Sequence, residues 1–452
     1  MRTFALPLVA LLLAVPLAAQ TQADRPGVEG DGPIRQTGQP QNVVLLIADG
    51  FGPASATLGR AAKGAPLALD SVLVGAVETS AADGRVTDSA ASATAYACGP
   101  QTHRGAIAVD TPGAPCRTVL EAAGARGMAT GLVTTGRVTD ATPAAVAAHV
   151  VERDGADEVA RQMASSGVDL LVGGGARFFA GRADAAPTNA APLAEAMAAD
   201  GWGVALDRAG YDALDALPAA VLLAPSHLAY EIDRDGTDQP SLAEMTEKAL
   251  DLLAAEAGGR GFFLVVEGNR IDDAAHRNDP AAHLGDVLAY DRAVAAALAW
   301  AARDGSTLVV STADHEAGGL TLGRDNANRW DPAPLLRATA SFEAMAARIG
   351  AGGDPAEIIR EALGYDALPE GAAEVFRDAV AARDPAALLP LLETLASEPA
   401  GVGWTTKAHT AVDVGLYAWG PGADQFRGAM SNDAVGRALF AALGLEPARA
   451  GR

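Results

Sequence analysis

The 452-residue chain predicts an α/β fold, a three-layer sandwich around a mostly parallel central sheet, on three observations. Apolar runs of strand length alternate with longer, alanine-rich segments of helical pattern. The apolar runs are continuous rather than alternating with polar residues, as in strands covered on both faces. Acidic residues and histidines fall just beyond the carboxyl ends of those runs, the edge at which open parallel sheets bind ligands.

The elements follow in order. The N-terminal MRTFALPLVALLLAVPLAAQ places Arg2 before an apolar run and small residues after it, the pattern of an export signal over 1–23. The run is short for a bilayer span, which disfavours the alternative of an uncleaved anchor, and no second run is long enough to span. The Gly- and Pro-rich stretch 24–40 reads as a linker. Strands are predicted at NVVLLIAD (42–49), ATGLVTT (129–135), VDLLVGG (168–174), FFLVVEG (262–268), STLVVST (306–312) and DVGLYAW (413–419). Helices are predicted at 241–257 and 288–304. The core therefore comprises 41–323 and 403–446, and the turn-rich, helical stretch 324–402 is an insertion between the last core strands, near the mouth of a site.

Composition narrows the function. Hydrophobic residues make up 49% and charged residues 20%, enough for a substantial core. A formal net charge of −22 with three lysines (Lys63, Lys248, Lys407) argues against a nucleic-acid-binding surface. An anionic ligand would then need strong local cations. The two cysteines, Cys98 and Cys116, exclude a zinc–thiolate cluster and, after export, predict a local disulfide. Closing so short a loop stabilises by about 3 kcal/mol in the chain-entropy model.

The chemistry-bearing residues gather at strand ends. Asp49 ends the first strand, Asp140 and Thr142 follow the second, and Glu267, Asp272 and His276 follow FFLVV. Asp314 and His315 follow STLVVSTA, and His409 precedes the last strand. Carboxylates brought together repel, and burying them is costly unless cations join them. Asp272 and His276 share a face if their segment is helical, and aspartate with neutral imidazole suits zinc, whereas oxygen-only sets suit magnesium. In VTDSAASATAYACG, Asp88 and Ser89 open a helix of small residues, either as a plain cap or with Ser89 held for chemistry on an anion. His103, His149, His227 and His283 read as structural, and the glycine run in VGGGARFF (172–179) as a tight turn.

Together the segments VVLLIADGFG, VTDSAASATAYACG, GRVTDATPAAVAAHVVER, GFFLVVEGNRIDDAAH, STADHEAGGL and GWTTKAHTAVDV resemble the alkaline phosphatase family, in the family's order and across most of 42–420. The resemblance implies a secreted phosphomonoesterase with two zinc ions and one magnesium ion, an alkaline pH optimum and a homodimer. Asp272, His276 and His409 would bind one zinc, and Asp49, Asp314 and His315 the other. Asp49, Thr142 and Glu267 would bind magnesium. Ser89 would be the nucleophile, passing through a phosphoserine, and Arg153, oriented by Asp88, would clamp phosphate. One position departs from the family, which often has lysine or histidine where this chain has Asp273. A carboxylate there implies weaker retention of product phosphate, with Asp140 and Asp273 tightening magnesium; the alternative is that Asp273 points to solvent. A phosphodiesterase or nucleotide pyrophosphatase on the same two-zinc core is the rival activity. Such relatives generally use threonine as nucleophile and lack the third metal site.

Overall fold

The computed structural model describes residues 38–180, 192–381 and 385–447. The export signal and most of the 24–40 linker lie outside the described residues. In chain order the strands are β1 (Asn42–Ile47), β2 (Leu73–Glu78), β3 (Ala129–Arg137), β4 (Leu170–Gly174), β5 (Gly203–Ala205), β6 (Ala219–Leu222), β7 (Phe262–Glu267) and β8 (Thr307–Thr312). There follow the short β9 (Glu316–Ala317), β10 (Thr321–Leu322), β11 (Val402–Gly403) and β12 (His409–Thr410), then β13 (Val414–Trp419) and β14 (Gly428–Ser431).

Ten of these strands form one sheet in the order β14-β2-β13-β8-β1-β7-β3-β4-β6-β5. Only β13 runs antiparallel to its neighbours, β2 and β8. At the centre, β1, β7 and β8 are buried along their whole length, which their unbroken apolar sequences allow because helices cover both faces. Their register is in step: Ile47 lies opposite both Glu267 and Thr312, and Thr134 lies opposite Glu267. Every segment that leaves these strands therefore emerges at one edge.

Helices flank the sheet. The helix Leu242–Ala257 starts with a capping box in which Ser241 and Glu244 exchange hydrogen bonds. The helix predicted over 288–304 begins earlier and spans Pro280–Asp304, with proline in its first turn and Asp279 accepting from Ala281 and Ala282. Ser89–Cys98 forms a fully buried helix. Its alanines and serines let it pack tightly against the helix Asn432–Ala442, where a Cβ on Gly436 would stand 2.1 Å from the carbonyl of Ala95. Cys98 and Cys116 form a disulfide with Cα atoms 5.9 Å apart, pinning the last residue of that helix.

Between β10 and β11 the chain forms the helices Phe342–Gly350, Pro355–Ala362, Ala372–Ala381 and Pro385–Ala400, with an apolar cluster of their own around Met345, Ile359, Phe376 and Leu392. This region is tied to the core by backbone donors on two acids: Phe342 N–H donates to the buried Asp279 Oδ2 at 2.7 Å, and Ser341 N–H to the half-buried Asp233 Oδ1 at 2.9 Å. Among the described residues no helix is long and apolar enough to cross a membrane.

Candidate functional site

The carboxyl edge of the central strands collects the polar residues into two groups, Asp49, Asp314 and His315, and Asp272, His276 and His409; within each group one nitrogen or oxygen atom per side chain lies within 4.8 Å of the others. The first group grows directly from β1 and β8. Gly50, which follows Asp49, adopts a positive φ of 77°, and a Cβ there would stand 2.7 Å from the Asp272 backbone, so glycine is what lets the two segments approach. His315 Nε2 lies 3.2 Å from Asp314 Oδ2 and 3.6 Å from Asp49 Oδ1. Burial, then the charges of Asp314 and Asp272, pushes the Asp49 carboxyl well above the usual range. Burial and Asp272 push Asp314 up to about 7. Burial and then His409, whose ring stacks on that of His315 at 3.5 Å, keep His315 neutral by pushing its pKa well below the ordinary value.

The second group combines one helix with the strand β12. The segment Arg270–His276 is helical, so Asp272 and His276 face the same way, with His276 Nε2 3.1 Å from Asp272 Oδ2. His409 Nε2 lies 3.1 Å from His276 Nε2. Each histidine's Nδ1 is turned to a backbone carbonyl, Lys407 at 2.6 Å and Thr87 at 2.9 Å, so Nδ1–H donates there and both Nε2 atoms converge on Asp272. The hydrogen bond to Asp272 raises the His276 pKa to about 9. A proton on His276 Nε2 can join it to only one of Asp272 and His409, whereas a divalent cation would be met by all three residues.

A third set of polar atoms completes the edge. Glu267 is buried and accepts from Thr134 Oγ1 and, at 3.3 Å, from Asn269 Nδ2. Burial raises its pKa to about 8 against those hydrogen bonds. Thr142, in the short helix Ala141–Ala144 after β3, has a buried hydroxyl without a hydrogen-bond partner. Asp49 Oδ1, Asp272 Oδ1 and Asp314 Oδ2 are buried and unpartnered in the same way. Orphaned carboxylate oxygens beside converging imidazole nitrogens are the donor set of divalent cations, and these residues fit them.

Ser89 stands where these groups meet. It is the first residue of its helix, and its Oγ lies 3.2 Å from His315 Nε2. Its neighbour Asp88 divides its two carboxylate oxygens between different partners. One carboxylate oxygen caps the helix by accepting from Ala91 N–H at 3.0 Å. The other accepts from Gly105 N–H at 3.0 Å and from Arg153 at 3.3 Å. The Tyr96 hydroxyl donates to Ala313 at 2.7 Å, locking the helix to the turn that carries Asp314 and His315.

Asp140 and Asp273 sit differently from the sequence expectation. Asp140 is held by guanidinium groups, Arg137 at 3.2 Å and Arg153 at 3.3 Å. Asp273 accepts from Arg270 at 2.6 Å, so its charge is compensated rather than aimed unscreened at an anion, and it does not simply face solvent. Arg270 itself is buried, lies over the Tyr230 ring at 3.6 Å and reaches Glu343 at 3.2 Å. Thr134, Asn269, Arg137 and Arg270 were not legible from the sequence, although Arg270 stands only two residues before Asp272. His149 and His283 are structural, bonded to Glu121 and Ala108 and to Ser55 and Ile271. His227 lies instead at the site's rim, near Asp140 and Asp273.

The chain is similar to known proteins over most of its length. The family model described as "Alkaline phosphatase" matches residues 40–445. An alkaline phosphatase of Schizosaccharomyces pombe is 37% identical over 431 residues, covering 88% of this chain and 80% of that protein. Alkaline phosphatase 3 of Bacillus subtilis is 35% identical over 422 residues, covering 89% of each. The crystal structure of a cold-active alkaline phosphatase from a psychrophilic Shewanella superposes with a TM-score of 0.82 at 32% identity, over 89% of this chain and 99% of that one.

Proposed function

The chain belongs to the alkaline phosphatase family of phosphoric monoester hydrolases, and on that premise we propose that it works through a phosphoserine at Ser89 beside two zinc ions and one magnesium ion. The family is metal-dependent. Asp272, His276 and His409 would hold one zinc, Asp49, Asp314 and His315 the other, and Asp49, Thr142 and Glu267 the magnesium. Bound there, the cations supply charge for the carboxylates, a lowered pKa for the attacking oxygens and stabilisation of the leaving oxygen.

The chain's own groups do the rest. Ser89 Oγ forms a bond to phosphorus as the ester oxygen leaves, and water then cleaves the Ser89–phosphate bond to release inorganic phosphate and restore the serine. The free N–H groups at the start of the Ser89–Cys98 helix favour the anion. Arg153 presents a planar fork to two phosphate oxygens, its orientation set by Asp88 on one side and Asp140 on the other. These local cations overcome a net charge of −22 that would otherwise repel the substrate. The Cys98–Cys116 disulfide suits an oxidising compartment, in keeping with an exported enzyme.

The observation that carries this reading is the serine hydroxyl 3.2 Å from an imidazole of one ligand group, with the phosphate-matched arginine tied to the adjacent residue. Elemental analysis of the purified protein, hydrolysis of a generic monoester and diester, and the Ser89→Ala variant test it. The expected result is zinc and magnesium in the protein, monoester preferred over diester, phosphate found on Ser89 by mass spectrometry, and activity lost on the order of 1,000-fold or more in Ser89→Ala with metal retained. A preference for diesters, or full activity in Ser89→Ala, would overturn it.

A further inference from the structure

His227 has no part in the reaction described above. It follows β6, whose end lies at the same sheet edge as those of β3 and β4, and its ring is mostly buried. Its Nδ1 has no hydrogen-bond partner among the described residues. Two carboxylate oxygens face that atom almost equally, Asp140 Oδ2 at 3.8 Å and Asp273 Oδ2 at 3.9 Å. Both separations are too long for a direct hydrogen bond and suit one bridging water. A cation is not needed to neutralise the pair, because Arg137 already serves Asp140 and Arg270 serves Asp273.

Burial, reinforced by Arg270 and Arg137 and only partly opposed by Asp273 and Asp140, holds the imidazole below its ordinary pKa. It is therefore neutral at alkaline pH, with a single N–H. Two acceptors on the Nδ1 side place that proton on Nδ1.

What the N–H can govern follows from Asp140. One oxygen of Asp140 caps Ala141 at 3.0 Å and accepts from Arg153 at 3.3 Å. The other receives Arg137 and faces His227. Among the described residues the Arg153 guanidinium has two anchors, Asp88 and Asp140, both at 3.3 Å, so a rotation of the Asp140 carboxylate redirects it. We propose that His227 is a positioning residue for the phosphate clamp: its Nδ1–H, through one water, fixes Asp140 and through it Arg153. This rests on the reading of Arg153 as the phosphate-binding group.

The test uses the metal-loaded full-length enzyme, a generic phosphomonoester and inorganic phosphate as competitor. In His227→Ala, KM and the phosphate inhibition constant should both rise about 3- to 10-fold, as for loss of one hydrogen bond, while kcat changes less than about 2-fold. His227→Asn keeps a donor near the Nδ1 position and should restore most of the affinity. His227→Gln places its amide near the Nε2 position and should not. In an Arg153→Ala background His227→Ala should have no further effect on KM, since the two changes act on one step. Unchanged KM and phosphate inhibition in His227→Ala would overturn the proposal, as would an undiminished effect in the Arg153→Ala background. If His227→Ala fails to fold, the contrast between the Asn and Gln variants decides. Failure of the underlying reading looks different, because Arg153→Ala alone would then leave KM and the phosphate inhibition constant unchanged.

Discussion

The two ligand groups at the sheet edge are built from the same residue types but stand in different surroundings. Asp49, Asp314 and His315 expose 4%, 0% and 0% of their side chains, whereas Asp272, His276 and His409 expose 13%, 36% and 14%. The buried group emerges from β1 and β8, adjacent strands in fixed register at the centre of the sheet. The more exposed group is assembled from the helix Arg270–His276 and the short strand β12, brought together from distant parts of the chain. The helical region between β10 and β11 supports it from outside, with Glu343 on Arg270 at 3.2 Å and Glu393 near Lys407 at 3.9 Å. The buried group therefore owes its geometry to the core, and without a cation its charges have no water to turn to. The exposed group can be hydrated and can relax.

Removing one ligand from each group gives the largest contrast. Asp314→Asn should lower kcat/KM on the order of 1,000-fold, with no recovery in added zinc, because the neighbouring carboxylates have no other partner and Ser89 Oγ sits against His315. His276→Ala should lose less, on the order of 10- to 100-fold, and recover partly in excess zinc, since water can complete an exposed coordination shell. Kinetics with and without added zinc check this. Equal, unrecoverable losses would break the distinction.

Chelation sharpens it without mutation. During dialysis against a chelator, metal content should fall in two phases, the more exposed group emptying first. The second phase should carry most of the fall in melting temperature, because it strands the buried carboxylates. Elemental analysis against time, paired with thermal denaturation, reads both. A single phase would mean that the two groups exchange as one.

The same contrast explains what could be read from the sequence. NVVLLI, FFLVVE and TLVVST are continuous apolar runs, so the central strands and the acids just past them are legible, and parallel topology makes those acids converge. By contrast, β2, β5, β6 and β14 read LVGAVE, GVA, AAVL and GAMS, too short or too rich in alanine and glycine for a strand signal. Missing β6 hid His227, because nothing then placed its loop at the site edge. The pairing of Asp273 with Arg270 was hidden for another reason. It depends on a one-turn-spaced ion pair on a short helix whose start the sequence does not mark, so a carboxylate that looked bare is compensated.

The smallest effect separates burial from metal binding. Asp286 is a carboxylate as buried as those of the first group, but it belongs to neither group and accepts from Glu231 N–H at 3.1 Å. Burial raises its pKa to about 8, against the pull of the Arg270 charge. A carboxyl whose folded pKa is raised contributes stability fully below its unfolded pKa of about 4, and this is lost as pH rises through the folded value. Asp286→Asn removes that titration. Between pH 5 and 9 the variant should gain on the unmodified protein by at most about 1.4 kcal/mol per pH unit, seen as melting curves that converge or cross, while metal content and kcat/KM at pH 9 stay the same. Parallel melting curves would show that Asp286 does not titrate in this range. If the curves behave as expected while chelation still proceeds in two phases, burial alone accounts for the pH-dependent stability at Asp286, and the order of metal loss belongs to the two ligand groups.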